Sequence, residues 1–89
     1  MKVRNMRGHS GREVPNQFEI TDEKGDVYFQ SYTTMIAKIE YSTGKVYLDE
    51  RSWDYSNTTG KYRNLFLGMD KKYTEAQIKT GKIILTNLN

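Results

Sequence analysis

The stretch WDYSNTTGKYRNLFLG, residues 53–68, separates a β-like part of the sequence from a helical part. Ser56, Asn57 and Thr58 are all good helix N-cap residues, because their side-chain oxygens accept the free amide hydrogens of a first helical turn. The apolar residues that follow have the spacing of one helical face, i, i+3, i+4 and i+7: Tyr62, Leu65, Phe66 and Met69. Gly68 suits the C-terminal stop of this helix. The stretch therefore predicts a capped helix with one buried face.

The residues before this helix predict two β-hairpins, after a short strand at 2–6 and a loop at 7–16. In the first hairpin, Phe18 and Ile20 alternate with polar residues, which is the pattern of a half-buried strand. The segment DEKGD supplies the turn, with Gly25 free to take a positive φ. On the return strand Tyr28 lies on the face opposite Val27 and Phe29.

The second hairpin is predicted from TMIAKIEYSTGKVYLD, residues 34–49, with STG as its turn. Strict alternation places four residues on one strand face: Met35, Ala37, Ile39 and Tyr41. Ile36 is then expected on the opposite face, beside Lys38.

A second short helix and a closing strand complete the chain. Thr74 and Gln77 have the spacing of a capping box, Tyr73 and Ile78 that of a hydrophobic staple, and Gly81 ends the helix. The segment KIILTNL is apolar on both faces, which suits an interior strand or an edge covered by a helix. We predict an α+β fold with one domain over 1–89: a small antiparallel sheet of hairpins, with two short C-terminal helices on one face and a final strand. Residues 1–15 are expected to form a mobile basic segment.

Composition narrows the range of functions. The 89 residues include no cysteine, which excludes disulfides, thiolate zinc sites, iron–sulfur clusters and cysteine nucleophiles. No apolar run is long enough for a membrane span and no signal peptide is present, so we expect a cytoplasmic protein of the host cell, without a membrane partner or a cofactor. Residues 14–59 carry four cations and eight acids, between basic segments at both ends.

The residues that often carry catalysis form no recognisable motif. His9 is the only histidine and lies between flexible loop residues, so an exposed loop position is expected for it. The neighbouring carboxylates Asp22–Glu23 and Asp49–Glu50 diverge in a strand or turn. Residue types used by some ribonuclease toxins are present without a distinguishing spacing: Glu50, Arg51, Tyr62 and Arg63. We therefore predict that the protein is not an enzyme.

Tyrosines and cations alternate along the sequence, which favours a binding protein. Single-stranded nucleic-acid binders stack bases on aromatic sheet faces and hold the backbone with cations. This alternative function would use the basic C-terminal region: Lys61, Arg63, Lys71, Lys72, Lys79 and Lys82. A sheet-edge homodimer is a third possibility.

The segments VYFQSYTTMIAKI, GKVYLD and WDYSNTTGKYRNLFLG resemble a family of small uncharacterised proteins of bacteriophages and related mobile elements. The resemblance covers roughly residues 16–68, and it transfers no catalytic residue. It implies a partner in the host cell, because small phage proteins without cysteine often resemble anti-CRISPR and other anti-defence proteins.

The leading hypothesis is therefore a non-enzymatic inhibitor of a host protein, with a nuclease-type defence complex as the expected target. Tyrosine and arginine are favoured at binding hot spots, because they bury large areas and keep a polar group. The expected contact residues are Arg7, Arg12, Tyr28, Tyr32, Tyr47 and Arg63.

Overall fold

The computed structural model describes residues 1–89, which form six strands and two α-helices. The strands are β1 (Lys2–Arg7), β2 (Glu13–Thr21), β3 (Val27–Ser31), β4 (Thr34–Ile39), β5 (Val46–Asp49) and β6 (Ile83–Thr86). The helices are α1 (Asn57–Leu67) and α2 (Lys71–Lys79). All six strands lie in one sheet in chain order, antiparallel from β1 to β5, with β6 parallel to β5. The α+β prediction is confirmed.

Both helices belong to the crossover between β5 and β6, because a parallel neighbour cannot be reached by a tight turn. Helix α1 packs on the sheet through Phe66, whose ring centroid lies 5.9 Å from that of Phe29 on β3. Helix α2 packs against β6, which is an edge strand. Of the two predicted placements of the final strand, the covered edge is therefore the observed one.

The core lies between the sheet and the helices. Four apolar strand residues are fully buried: Phe29, Ile36, Ala37 and Leu48. Met6, Tyr62 and Ile83 complete the buried apolar cluster. The other face of the sheet has no helix packed on it.

A β-bulge at Ile36 corrects the predicted alternation of β4. Phe29 pairs with Ala37, but Gln30 pairs with Met35, so Ile36 is the extra residue on its strand. A bulge places two consecutive side chains toward the same side. Ile36 and Ala37 are accordingly both 0% exposed, and the expectation that Ile36 lies opposite Ala37 is wrong.

The predicted loop over 7–16 is too long. Strand β2 begins at Glu13, which pairs with Arg7, and only the tip over 8–12 lies outside the strands. Gly8 donates its amide hydrogen to the Arg12 carbonyl oxygen at 3.0 Å and closes this tip. The segment joins the sheet despite its polar sequence, because backbone pairing does not require apolar side chains.

The ends of α1 agree with the prediction, and its buried face agrees in part, because Tyr62 is buried and Phe66 and Met69 pack against the core. Ser56 is the N-cap and accepts from the Thr59 amide at 3.1 Å, and Gly68 ends the helix with φ 71°. Thr59 and Arg63 are also buried on this helix, whereas Leu65 is 44% exposed. The Thr59 hydroxyl oxygen lies 3.2 Å from that of Ser31, and Arg63 donates to the Trp53 carbonyl oxygen, so polar groups share the buried face with the apolar stripe.

Helix α2 begins earlier than predicted, and the capping box is wrong. Asp70 is the N-cap and accepts from the Tyr73 amide at 2.8 Å. Thr74 is fully buried and donates its hydroxyl hydrogen to the Asp70 carbonyl oxygen at 2.8 Å. Tyr73 is 55% exposed and so forms no staple. Neither helix is long and apolar enough to cross a membrane.

Candidate binding surface

The helix-free side of the sheet carries a row of large side chains across all six strands. Its members pair directly with one another from strand to strand: Val3, Ile20, Tyr28, Lys38, Tyr47 and Ile84. We call the sheet face that bears this row the open face. Val3 is 59% and Ile84 36% exposed at its two ends. Aliphatic and aromatic groups at this density on an uncovered face are typical of a contact surface.

Lys38 lies at the centre of the open face, between two aromatic rings. Its Nζ is 5.5 Å from the ring centroid of Tyr28 and 5.7 Å from that of Tyr47. The Asp26 Oδ2 atom lies 3.6 Å from the same Nζ. Burial disfavours the charged form, but Tyr28 and Asp26 outweigh it and raise the pKa of Lys38 above its ordinary value. The ammonium is therefore held in place as a fixed positive charge under two rings.

Charges along one border of the open face are separated by sign. The Asp22 Oδ2 atom accepts from the Tyr28 hydroxyl at 3.2 Å, and Glu40 donates its amide hydrogen to the Lys45 carbonyl oxygen at 2.9 Å. We call this border the charged rim; across the sheet from β2 to β6 its members are Asp22, Asp26, Glu40, Lys45 and Lys82. Acids thus flank β3 and β4, and lysines flank β5 and β6.

The Asp22 carboxylate also holds the turn between β2 and β3. Its Oδ1 atom accepts from the amides of Lys24 at 2.9 Å and Asp26 at 3.0 Å. Burial opposes its charge, but these two amides and the Tyr28 hydroxyl lower the pKa of Asp22. The Asp22 carboxylate is thereby fixed to the backbone of the turn.

The structure brings only two of the six expected contact residues, Tyr28 and Tyr47, onto the open face. Tyr32 lies in the β3–β4 turn with its side chain 56% exposed and a left-handed φ of 55°. Arg7 is exposed at the end of β1 and donates to the Gly11 carbonyl oxygen at 2.8 Å. Arg12 is exposed in the tip of the same hairpin.

Arg63, the sixth residue, is 1% exposed, so its expected place on the surface is wrong. Its Nη1 atom donates to the Trp53 carbonyl oxygen at 2.7 Å and to the Asp54 carboxylate at 3.2 Å. The guanidinium also lies 5.2 Å from the Trp53 ring centroid. Asp54 accepts a hydrogen bond from Lys71 at 2.8 Å, which lowers the pKa of Asp54 against the effect of burial. These contacts join the segment before α1 to both helices.

The cations expected for nucleic-acid binding do not form one continuous patch. Arg63 is buried, Lys71 is paired with Asp54, and Lys82 belongs to the charged rim. The remaining three are exposed and form no ion pair: Lys61, Lys72 and Lys79. A groove of about 700 Å³ beside α1 is lined by Lys61, Lys71 and His9, but also by Asp54 and Asp70.

The residue types of a ribonuclease-like site are likewise dispersed. Glu50 and Arg51 line a polar cleft at the end of β5, whereas Tyr62 and Arg63 are buried residues of α1. No group of three or more histidine, aspartate or glutamate residues is placed to hold a metal ion.

The sequence analysis missed Lys38, Asp26 and Ile84. Alternation alone assigns each of them a face, but it does not say which strands are neighbours. For Lys38 and Asp26 the signal is the register, because the short turns DEKGD and STG fix which residues pair across the hairpins. No short turn fixes the parallel pairing of Ile84 with Tyr47.

Residues 1–84 match the model of DUF8033, described as a family of unknown function. The chain belongs to this family. The match includes every residue of the row from Val3 to Ile84, so the open face is part of the DUF8033 domain. No curated protein and no solved structure matches the chain.

Proposed function

We propose that this DUF8033 chain is a non-enzymatic binding protein that acts through protein–protein contacts on its open face. The observation that carries the proposal is the uncovered row in which Tyr28, Lys38 and Tyr47 pair across three strands. Tyrosine supplies a large contact area with few rotatable bonds, and a cation under the rings fixes their position. Such a surface is suited to another folded protein.

The charges of the open face support a protein partner over nucleic acid there. Asp22 and Glu40 are acids at the border of the open face and would repel a phosphate backbone, whereas Asp26 is buried and paired with Lys38. Lys38 adds little attraction for phosphate, because Asp26 already lies 3.6 Å from its ammonium. A protein surface, in contrast, can present both signs of charge.

A protein of the host cell is the target class that we propose, because the sequence resembles small phage proteins. A nuclease-type defence complex is the specific target to test first. The exposed Tyr32, Arg7 and Arg12 extend the candidate contact beyond the open face.

The test is a pull-down from host lysate with and without nuclease treatment. We expect a discrete protein that is retained by the wild type after nuclease treatment and lost by the double variant Tyr47→Ala/Ile84→Ala. Tyr73→Ala on α2 is the matched control, since it removes a tyrosine that is 55% exposed on the helix side. Equal recovery by the open-face variant and the control would reject the open face as the contact.

Nucleic-acid binding is a second candidate, favoured by the exposed and unpaired Lys61, Lys72 and Lys79. Contacts to phosphate release counterions, so the affinity must fall steeply with salt. Binding of a labelled single-stranded oligonucleotide at two salt concentrations tests this. The absence of binding at low salt would exclude it.

A further inference from the structure

We propose that the open face of the free protein is occupied by a second copy of the same chain, in a face-to-face homodimer. This inference rests on the proposed function, because it names a protein that fits the same surface. The argument comes from the separation of charge along the charged rim and from the strand order.

The charged rim is complementary to itself under a two-fold rotation. Acids lie at β3 and β4 (Asp26 and Glu40), and lysines lie at β5 and β6 (Lys45 and Lys82). A two-fold axis parallel to the strands, between β4 and β5, places β4 over β5 of the second copy and β3 over β6. Glu40 then faces the partner's Lys45 across the interface, and symmetry makes this contact twice. Asp26 lies on the strand opposite the partner's Lys82, but it is buried and held by Lys38 and the Tyr41 amide of its own chain.

The same rotation also brings complementary side chains of the central row of the open face against each other. Lys38 of one copy faces the partner's Tyr47, so the ammonium meets a ring and not a second ammonium. Tyr28 faces the partner's Ile84, which is 36% exposed in the single chain. Two sheets packed face to face with aligned strands are a common arrangement in β-sandwiches. An axis through β4 itself would oppose Lys38 to its own copy, and we therefore place the axis between β4 and β5.

Self-association also has a consequence for the proposed target. A host protein that binds Tyr28 and Tyr47 competes with the second copy for one surface. The concentration of the chain then determines how much of the open face is free. The dimer leaves Tyr32 and the hairpin tip with Arg7 and Arg12 uncovered.

The test is charge reversal followed by mixing. Glu40→Lys places a lysine opposite the partner's Lys45, and Lys45→Glu places a glutamate opposite the partner's Glu40. We expect each variant alone to raise the dimer dissociation constant at least about tenfold, since like charges then meet twice. In an equimolar mixture of the two variants, lysine meets glutamate at both positions, and we expect the dimer to return. Sedimentation equilibrium measures the masses, and Glu75→Lys on the exposed side of α2 is the matched control.

Either of two results would overturn the inference: a wild type that stays monomeric up to millimolar concentration, or single variants whose mixture does not reassociate. Thermal unfolding of each variant excludes misfolding as the cause. The outcome is independent of the pull-down. If the wild type is monomeric but Tyr47→Ala/Ile84→Ala still abolishes binding of the host protein, the dimer is rejected and the proposed function stands. If the wild type dimerises but the pull-down recovers no host protein, the inhibitor hypothesis is rejected and the dimer stands.

Discussion

The hydroxyl oxygens of Ser31 and Thr59 lie 3.2 Å apart and are both buried, one on β3 and the other in the first turn of α1. They form a direct polar link between the sheet and the helix layer. A buried hydroxyl that loses its partner keeps the cost of desolvation, whereas loss of both hydroxyls removes that cost.

This link predicts a non-additive pair of substitutions. Ser31→Ala and Thr59→Val should each lower the free energy of unfolding by about 1–3 kcal/mol. The double variant should cost clearly less than the sum of the two, because no unpaired hydroxyl remains. Urea denaturation of the four proteins of the cycle measures this coupling. Strict additivity would contradict the buried link.

Arg63 should matter for stability and not for binding. Arg63→Met removes hydrogen bonds to the Trp53 carbonyl and the Asp54 carboxylate, and we expect a loss of about 2–3 kcal/mol in the free energy of unfolding. Lys61→Met on the exposed side of the same helix is the control and should change it by less than about 0.5 kcal/mol. Both variants should keep the affinity for a protein partner of the open face. A folded Arg63→Met protein with normal stability and lost binding would reverse this assignment.

The left-handed backbone conformation of Tyr32 should lower the stability of the fold. A non-glycine residue at φ 55° is held in a left-handed conformation that costs about 1–2 kcal/mol. Tyr32→Gly relieves this cost but makes the unfolded chain more flexible, so we expect a stability equal to the wild type or up to about 1 kcal/mol higher. Tyr32→Val should be less stable than the wild type, because a β-branched residue fits this conformation poorly. Thermal unfolding ranks the three, and a more stable valine variant would refute the argument.

Asp49 should make stability depend on acid pH. Its carboxylate is buried, which opposes the charge, but amides of the chain, Leu88 foremost, lower its pKa below the ordinary value of 3.8. A carboxyl group whose pKa is lowered by folding stabilises the folded state at pH values above its ordinary pKa. This stabilisation is lost as the pH falls through the pKa of the folded state. We therefore expect Asp49→Asn to be less stable than the wild type at pH 7, with a difference that narrows below about pH 4.

Urea denaturation of the wild type and Asp49→Asn between pH 7 and pH 2 measures this convergence. Glu50→Gln, at the exposed neighbouring position, is the control. If the Asp49 variant keeps a constant difference from the wild type over this range, the carboxylate does not contribute in the way proposed.

Local signals in the sequence predicted the hairpins and the ends of α1. Gly25 and Gly44 have φ values of 89° and 72° in the two predicted turns, and Gly68 has 71° at the end of the helix. Ser56 caps α1 as expected. Each of these features depends on a few consecutive residues, which is why the sequence alone reveals them.

The features that were missed depend on partners far away in the sequence. The charge of Arg63 predicts a surface position, and only the tertiary contacts with Trp53 and Asp54 explain its burial. The bulge at Ile36 arises where β4 is adjusted to bury one more apolar side chain against the helices. Lys38 acquires its two rings only when β3 and β5 take their places on either side of β4. Tertiary contacts, in these three cases, override the local pattern.

The placement of β6 beside β5 has a consequence for the kinetics of folding. Strands β1 to β5 pair only with sequence neighbours through short turns, so their contacts have a low contact order and form at small entropic cost. The pairing of β6 must instead close the segment 50–82, with both helices in it. We therefore expect the five-stranded meander to order before β6 docks, and transient opening to begin at the β6 edge. Amide hydrogens of β6 should exchange with solvent sooner than those of β3 and β4.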